Sequence, residues 1–146
     1  MLARDFKFVV KNDTGVTIEQ NAITINGRKY KGSSDGTVEF ESAEETSMYI
    51  NDATAGIVDG AYEGGDAFDN SGTADEWVGG AFELTVAIPS STGAATYAGN
   101  IEVYYHPSTD GGTTFADDGE GHLVCVLALA TTITSATATF VKTFEL

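Results

Sequence analysis

The chain has 146 residues, of which 22 are Asp or Glu and seven are Lys or Arg, giving a formal net charge of −15 at pH 7. Residues 1–31 carry six bases against three acids, a sum of +3, whereas residues 32–146 carry one lysine against 19 acids, a sum of −18. This balance excludes the continuous basic track that nucleic acids and anionic membrane surfaces require. We expect neither as a partner.

The length suits one domain with a proper core, so residues 1–146 are expected to form a single domain with a basic segment at 1–31 and an acidic body at 32–146. The longest apolar run, residues 123–130, is far too short to span a bilayer and is typical of a buried strand. Cys125 lies in it and should be a small buried hydrophobe. Residues 1–10 show no secretory signal pattern.

The first elements are predicted as strands and hairpins. FKFVVK, residues 6–11, places Phe6, Phe8 and Val10 on one face, which indicates a half-buried strand. Asn26-Gly27 lies between AITI and RKYK, and this dipeptide is a strong signal for a tight type I′ hairpin turn. We therefore predict a hairpin turn there, and a second turn at Asp35-Gly36 before TVEFE.

The middle of the chain is less regular. Ser42 and Glu45 have the spacing of a capping box, so a helical turn or two is an alternative to a strand at this point. A strand is predicted over residues 61–68, followed by a polar loop that leads to Trp77 at the entry of the next strand.

The remaining segments repeat the two-residue period. AFELTVAI, IEVYYH and TFVKTFEL each alternate large apolar residues with polar ones. Together with the 17 glycines of the chain, which indicate many tight turns, they predict an all-β fold. We expect an antiparallel β-sandwich or jelly-roll-like fold with about eight strands and little or no helix.

One loop has a specific pattern. Ser108, Asp110, Gly112 and Phe115 have the spacing of the Asp-box of sialidase-like propellers, which occurs here once. Asp110 should accept hydrogen bonds from loop amides, Gly112 should adopt a conformation that other residues avoid, and Phe115 should hold the loop against the core. The pattern predicts a stable structural turn without a catalytic role.

The order FKFVVKNDTGVTI, DNSGTADEWVGGAFELTV, IEVYYHPSTDGGTTFADDGEGHLVCVLAL and TFVKTFEL resembles small virion structural proteins of tailed bacteriophages. The resemblance implies a non-enzymatic β-sandwich that decorates or cements the head, or an accessory subunit of the tail. It also implies a virion location after assembly in the host cytoplasm, many identical copies or a homo-oligomer, and the major capsid protein or other virion subunits as partners. Capsid decoration is the expected function.

Enzymatic alternatives have weak support in the sequence. Adjacent acidic pairs do not place two carboxylates across a sugar, as a glycosidase requires. His106, Ser108 and Asp110 invite comparison with a catalytic triad, but their spacing is that of a strand entering a turn. We predict no catalytic residues and no required cofactor.

Calcium is the alternative cofactor, because carboxylates crowd one glycine-rich loop and calcium accepts such ligands in flexible arrangements. The candidate ligands are Asp110, Asp117, Asp118 and Glu120. A weaker second cluster comprises Asp66, Asp69 and Asp75.

Carbohydrate binding or host adhesion is the alternative function. It would require a flat, exposed aromatic platform, for which the candidates are Trp77, Tyr97, Tyr104 and Tyr105.

The basic segment supplies the predicted partner interface. Its side chains could meet an acidic capsid surface while the acidic body faces solvent, although each exposed ion pair would contribute only about 0 to 1 kcal/mol. The predicted interface residues are Arg4, Lys7, Lys11, Arg28, Lys29 and Lys31.

Overall fold

The computed structural model describes residues 5–41, 44–69, 78–88, 95–108, 110–133 and 137–146, with only the backbone at residue 69. Within these ranges the chain forms ten strands and no helix, so the predicted all-β class is confirmed. The strands are β1 (Asp5–Asp13), β2 (Ile23–Gly32), β3 (Val38–Phe40), β4 (Glu45–Ile50), β5 (Tyr62–Gly64), β6 (Phe68–Asp69), β7 (Gly79–Ile88), β8 (Ala95–Ser108), β9 (His122–Ile133) and β10 (Ala138–Glu145).

Two antiparallel sheets pack against each other as a β-sandwich. In the first sheet, β1 lies between β8 and the short strands β5 and β6, and β9 forms the far edge beside β8. In the second sheet, β7 lies between β10 and β2. The other edge of β2 pairs with β3 and β4. The chain therefore crosses repeatedly between the sheets, and β9 and β10 end as neighbouring edges of the sandwich.

The core between the sheets is apolar and rich in aromatic rings. Phe8 of β1 contacts Phe82 of β7 edge-to-face, with ring centroids 5.2 Å apart, and contacts Phe144 of β10 at 5.8 Å. Phe82 and Phe144 stack on each other at 5.4 Å. Cys125 is buried as predicted, and burial raises the pKa of its thiol. The alternating residues of β1, β7 and β8 thus point inward as their patterns predicted.

The predicted hairpin turn at Asn26-Gly27 is wrong. Both residues lie within β2, where they pair with Glu83 and Phe82 of β7. Gly27 leaves room for the Phe82 ring, since a Cβ atom at this position would collide with it. The Asn26 side chain accepts a hydrogen bond of 2.7 Å from the backbone N–H of Ser47, where β4 shifts register. A local turn preference is overridden here by packing between the sheets.

The other local predictions have mixed outcomes. The turn at Asp35-Gly36 is confirmed, and Gly36 adopts a φ of +83° between β2 and β3. The helical alternative that begins at Ser42 is wrong for residues 45–50, which form strand β4. The strand predicted over residues 61–68 is divided into β5 and β6, because the chain at Gly65 passes close over the Tyr49 ring. Trp77 lies outside the described residues.

Gly27 supplies a test of this packing. We expect Gly27→Ala to lower the free energy of unfolding by about 1 to 3 kcal/mol, because the added methyl group must displace a ring held by the aromatic core. Gly32→Ala, at the end of the same strand, is the matched control, since nothing lies within 4 Å of its Cβ position. Denaturant unfolding of both variants measures the difference. Equal effects at the two positions would contradict the interpretation.

Candidate interaction surfaces

The two lysines of β1 point outward from the first sheet and face carboxylates of their own chain. The Nζ atom of Lys7 lies 3.4 Å from Oδ1 of Asp118 and 5.3 Å from the centroid of the Phe115 ring. The Nζ atom of Lys11 lies 3.8 Å from Oε2 of Glu102. Both positive charges are therefore offset within the molecule.

The two lysines of β2 are also paired. Lys29 is almost fully buried, with its Nζ atom 2.8 Å from Oε1 of Glu45 and 3.6 Å from Oε1 of Glu41. Lys31 lies 3.6 Å from Oε2 of Glu39. Because a buried charge is stable only when it is paired, Lys29 is a structural residue that joins β2 to Glu41 and to Glu45 at the start of β4.

The predicted basic interface does not form a single surface. Arg28 is exposed on the outer side of the second sheet, whereas Lys7 and Lys11 lie on the outer side of the first. Arg4 lies outside the described residues. The described lysines are partnered within the chain, so they are poorly suited to hold an acidic partner.

The Asp-box loop is a structural turn, as predicted. The Ser108 hydroxyl donates a hydrogen bond of 2.7 Å to Asp110 Oδ1, which also accepts the backbone N–H of Thr114 at 2.9 Å. Hydrogen bonds from Thr114 and Ser108 lower the pKa of Asp110 to about 2. Gly112 adopts a φ of +76° and donates its N–H to Ser108 Oγ. Phe115 differs from the prediction, because it packs beside Lys7 on the outer face of the sheet and does not join the core.

The calcium candidates do not assemble into a site. Asp110 is engaged by its own loop, and Asp118 pairs with Lys7. Across the described parts of the chain, no three His, Cys, Asp or Glu side chains, including Asp117 and Glu120, are grouped so that they could hold a metal ion. In the weaker second cluster, Asp66 is exposed, while the side chain of Asp69 and all of Asp75 lie outside the described residues.

The triad residues are close in sequence but are not arranged as a triad. Ser108 donates to Asp110, and neither ring nitrogen of His106 makes a hydrogen bond to either of these residues. The His106 ring is fully buried beneath the loop of residues 110–121, where Gly121 packs directly against it. Burial lowers the pKa of His106, and the nearby charge of Lys7 lowers it further.

The predicted aromatic platform does not form from the described tyrosines. Tyr97 and Tyr105 are buried in the core, with 1% and 7% of their surfaces exposed. Tyr104 lies on the outer face of the first sheet beside Tyr62, but the two rings are inclined at 57°. Stacking on a sugar requires coplanar exposed rings, which this pair does not provide. Trp77 lies outside the described residues.

The sequence analysis missed the outer side of the second sheet, which we call the open face. It is formed by the outward side chains of β2, β3, β4, β7 and β10. Four large apolar side chains on it are exposed, namely Val38 at 59%, Phe40 at 53%, Val141 at 52% and Ile50 at 36%. Residues directly opposite each other on neighbouring strands point to the same side of a sheet. These side chains point outward because their partners do: Val141 pairs with Thr85, Phe40 with Tyr30 and Ile50 with Thr24.

The opposite side of the molecule is different. On the outer face of the first sheet, the loop of residues 110–121 packs over β1 and β8 through the contacts of Phe115 and Asp118 with Lys7 and of Gly121 with His106. Val9 points outward in this sheet and is nevertheless fully buried. Among the described residues, one outer face is thus partly covered by a loop of its own chain, and the other is open.

No family model, curated protein or solved structure matches this chain in the comparisons with known proteins. Within the described ranges, no helix is long and apolar enough to cross a membrane.

The buried His106 ring predicts a pH response of the loop that covers it. The charged groups facing the ring are Lys7 from β1 and Asp118 from the loop. Burial and the charge of Lys7 lower the pKa of His106 by more than Asp118 raises it. Since an opened loop returns the ring to its ordinary pKa of 6.5, the closed loop should keep constant stability above this pH and lose stability as the pH falls below it.

Hydrogen–deuterium exchange over residues 110–121 measures this response. After correction for intrinsic rates, we expect faster exchange at pH 5 than at pH 7.5 in the native chain, and no such difference in His106→Phe. His122→Gln serves as the control for the second histidine and should retain the response. Unchanged protection of the native loop between the two pH values would contradict the prediction.

Proposed function

We propose that this chain is a non-enzymatic structural subunit of a tailed-phage virion that decorates the outside of the capsid. The observation that carries the proposal is the open face, a whole side of a sheet that presents exposed apolar side chains. Apolar side chains exposed together on one face of a sheet favour contact with other macromolecules, since their exposure to water is unfavourable. A chain built in this way acts through broad surface contact.

Two further features support a structural role. The pattern of FKFVVK, DNSGTADEWVGGAFELTV and TFVKTFEL resembles small virion proteins, and the sandwich fold expected from that resemblance is the fold of this chain. The conspicuous polar residues of the long loop, Ser108 and Asp110, bond to each other and to loop amides. These groups stabilise the loop.

The internal pairing of the lysines changes the expected mode of attachment. With Lys7, Lys11, Lys29 and Lys31 facing carboxylates of the same chain, the net charge of −15 is carried by the remaining acidic surface. We therefore propose that attachment to the particle relies on apolar contact and on multivalency, because exposed ion pairs contribute little.

Copy number in the particle tests this function. In purified virions of a phage that encodes the chain, quantitative mass spectrometry against the major capsid protein should find hundreds of copies per particle, as a surface lattice requires. A few copies, or a few dozen, would place the subunit on the tail or at a single vertex and contradict capsid decoration. Absence from purified virions would contradict any structural role in the particle.

A further inference from the structure

We propose that two copies of this chain associate through their open faces, with the second sheets packed face to face about a two-fold axis. The inference goes beyond the proposed function and does not depend on it. It follows from the composition, size and charge of the open face.

The open face is shaped for close contact with another sheet. Between its exposed apolar residues lie short side chains, including Thr24 on β2, Thr85 and Ala81 on β7, and Thr143 on β10. Sheets that pack face to face approach to about 10 Å, and short side chains allow this approach without cavities or clashes.

The area of the open face can be compared with the area that protein dimers bury. One face of a sheet of about four strands, spaced about 4.8 Å apart and about 30 Å long, covers roughly 500 Å² in projection. The uneven surface made by the side chains has a larger accessible area. A standard specific interface buries about 800 Å² on each partner. The projected area is smaller than this, so a second copy that covers the open face would form a weak, reversible dimer.

Charge selects a second copy over other partners. Arg28 projects from the middle of the open face and pairs with no carboxylate of the described chain, whereas Glu83 and Glu145 project from the neighbouring strands. The face therefore carries charges of both signs, which fits a partner whose own contact face also carries both. A two-fold rotation can place each Arg28 against the glutamates of the other copy, so the face is complementary to itself.

The dimer would also give the subunit two identical attachment sides. With the open faces joined, both first sheets point away from the contact and still expose the apolar side chains Leu123 and Tyr62 for attachment to the particle. A particle surface that repeats the same binding position could then be engaged twice by one dimer, which raises the overall affinity without new contacts.

Sedimentation equilibrium of the full chain from about 1 to 500 μM tests the proposal, in 0.3 M salt to screen the general repulsion between acidic copies. We expect a monomer–dimer equilibrium that is weakened at least tenfold by Val141→Glu and by Phe40→Glu. Leu123→Glu is the matched control, because Leu123 lies on the outer face of the first sheet and has the same exposed fraction as Val141, 52%. This variant should dimerise like the native chain.

A charge exchange tests the two-fold arrangement. Arg28→Glu should weaken the dimer several-fold, and adding Glu83→Arg to it should restore most of the affinity. A native chain that stays monomeric up to 500 μM would overturn the proposal and leave the open face to a different protein. Assemblies larger than a dimer, or equal weakening by Leu123→Glu and Val141→Glu, would overturn it as well. Thermal unfolding of each variant verifies that it is folded.

Discussion

The contact of Phe8 with Phe82 and Phe144 is the constraint on which the rest of the structure depends. It joins the middle of the first sheet to two neighbouring strands of the second, through edge-to-face contacts at 5.2 and 5.8 Å. Aromatic pairs in this geometry stabilise a fold beyond the area that they bury. Because the contact sets which side of each strand faces inward, it also decides that Val141 and Phe40 must face outward.

The two outer faces acquire different roles from this arrangement. On the first sheet, Lys7 offers its ammonium group to Asp118 and Phe115, and the loop between β8 and β9 lies over the face as a consequence. The second sheet has no comparable loop among the described residues. Where the first sheet has outward lysines, the second sheet has Arg28 and short side chains. The apolar residues beside them therefore stay accessible. The asymmetry explains why association is proposed on one side of the molecule.

Much of the fold was predictable, because alternation along a strand is a local property. The patterns around Phe8 and Phe82 predicted the inward faces correctly, and the bonds around Asp110 follow from residues only a few positions apart. The prediction from Asn26-Gly27 was wrong, since the conformation of this dipeptide depends on packing against the Phe82 ring of another strand. The ion pairs and the open face were equally inaccessible to local reasoning. Lys7 and Asp118 are 111 positions apart in the sequence. Whether an outward residue such as Val141 stays exposed depends on which distant segments pack over it.

Hydroxyl-radical footprinting of the chain tests the central claim, that copies associate through the open face and not through the loop-covered face of the first sheet. The reactivity of Phe40, at 53% exposure, should fall on passing from dilute to concentrated protein, together with that of Tyr30 beside it. Tyr62, at 38% exposure on the first sheet, should keep its reactivity. Protection of Tyr62 with unchanged reactivity at Phe40 would contradict the account.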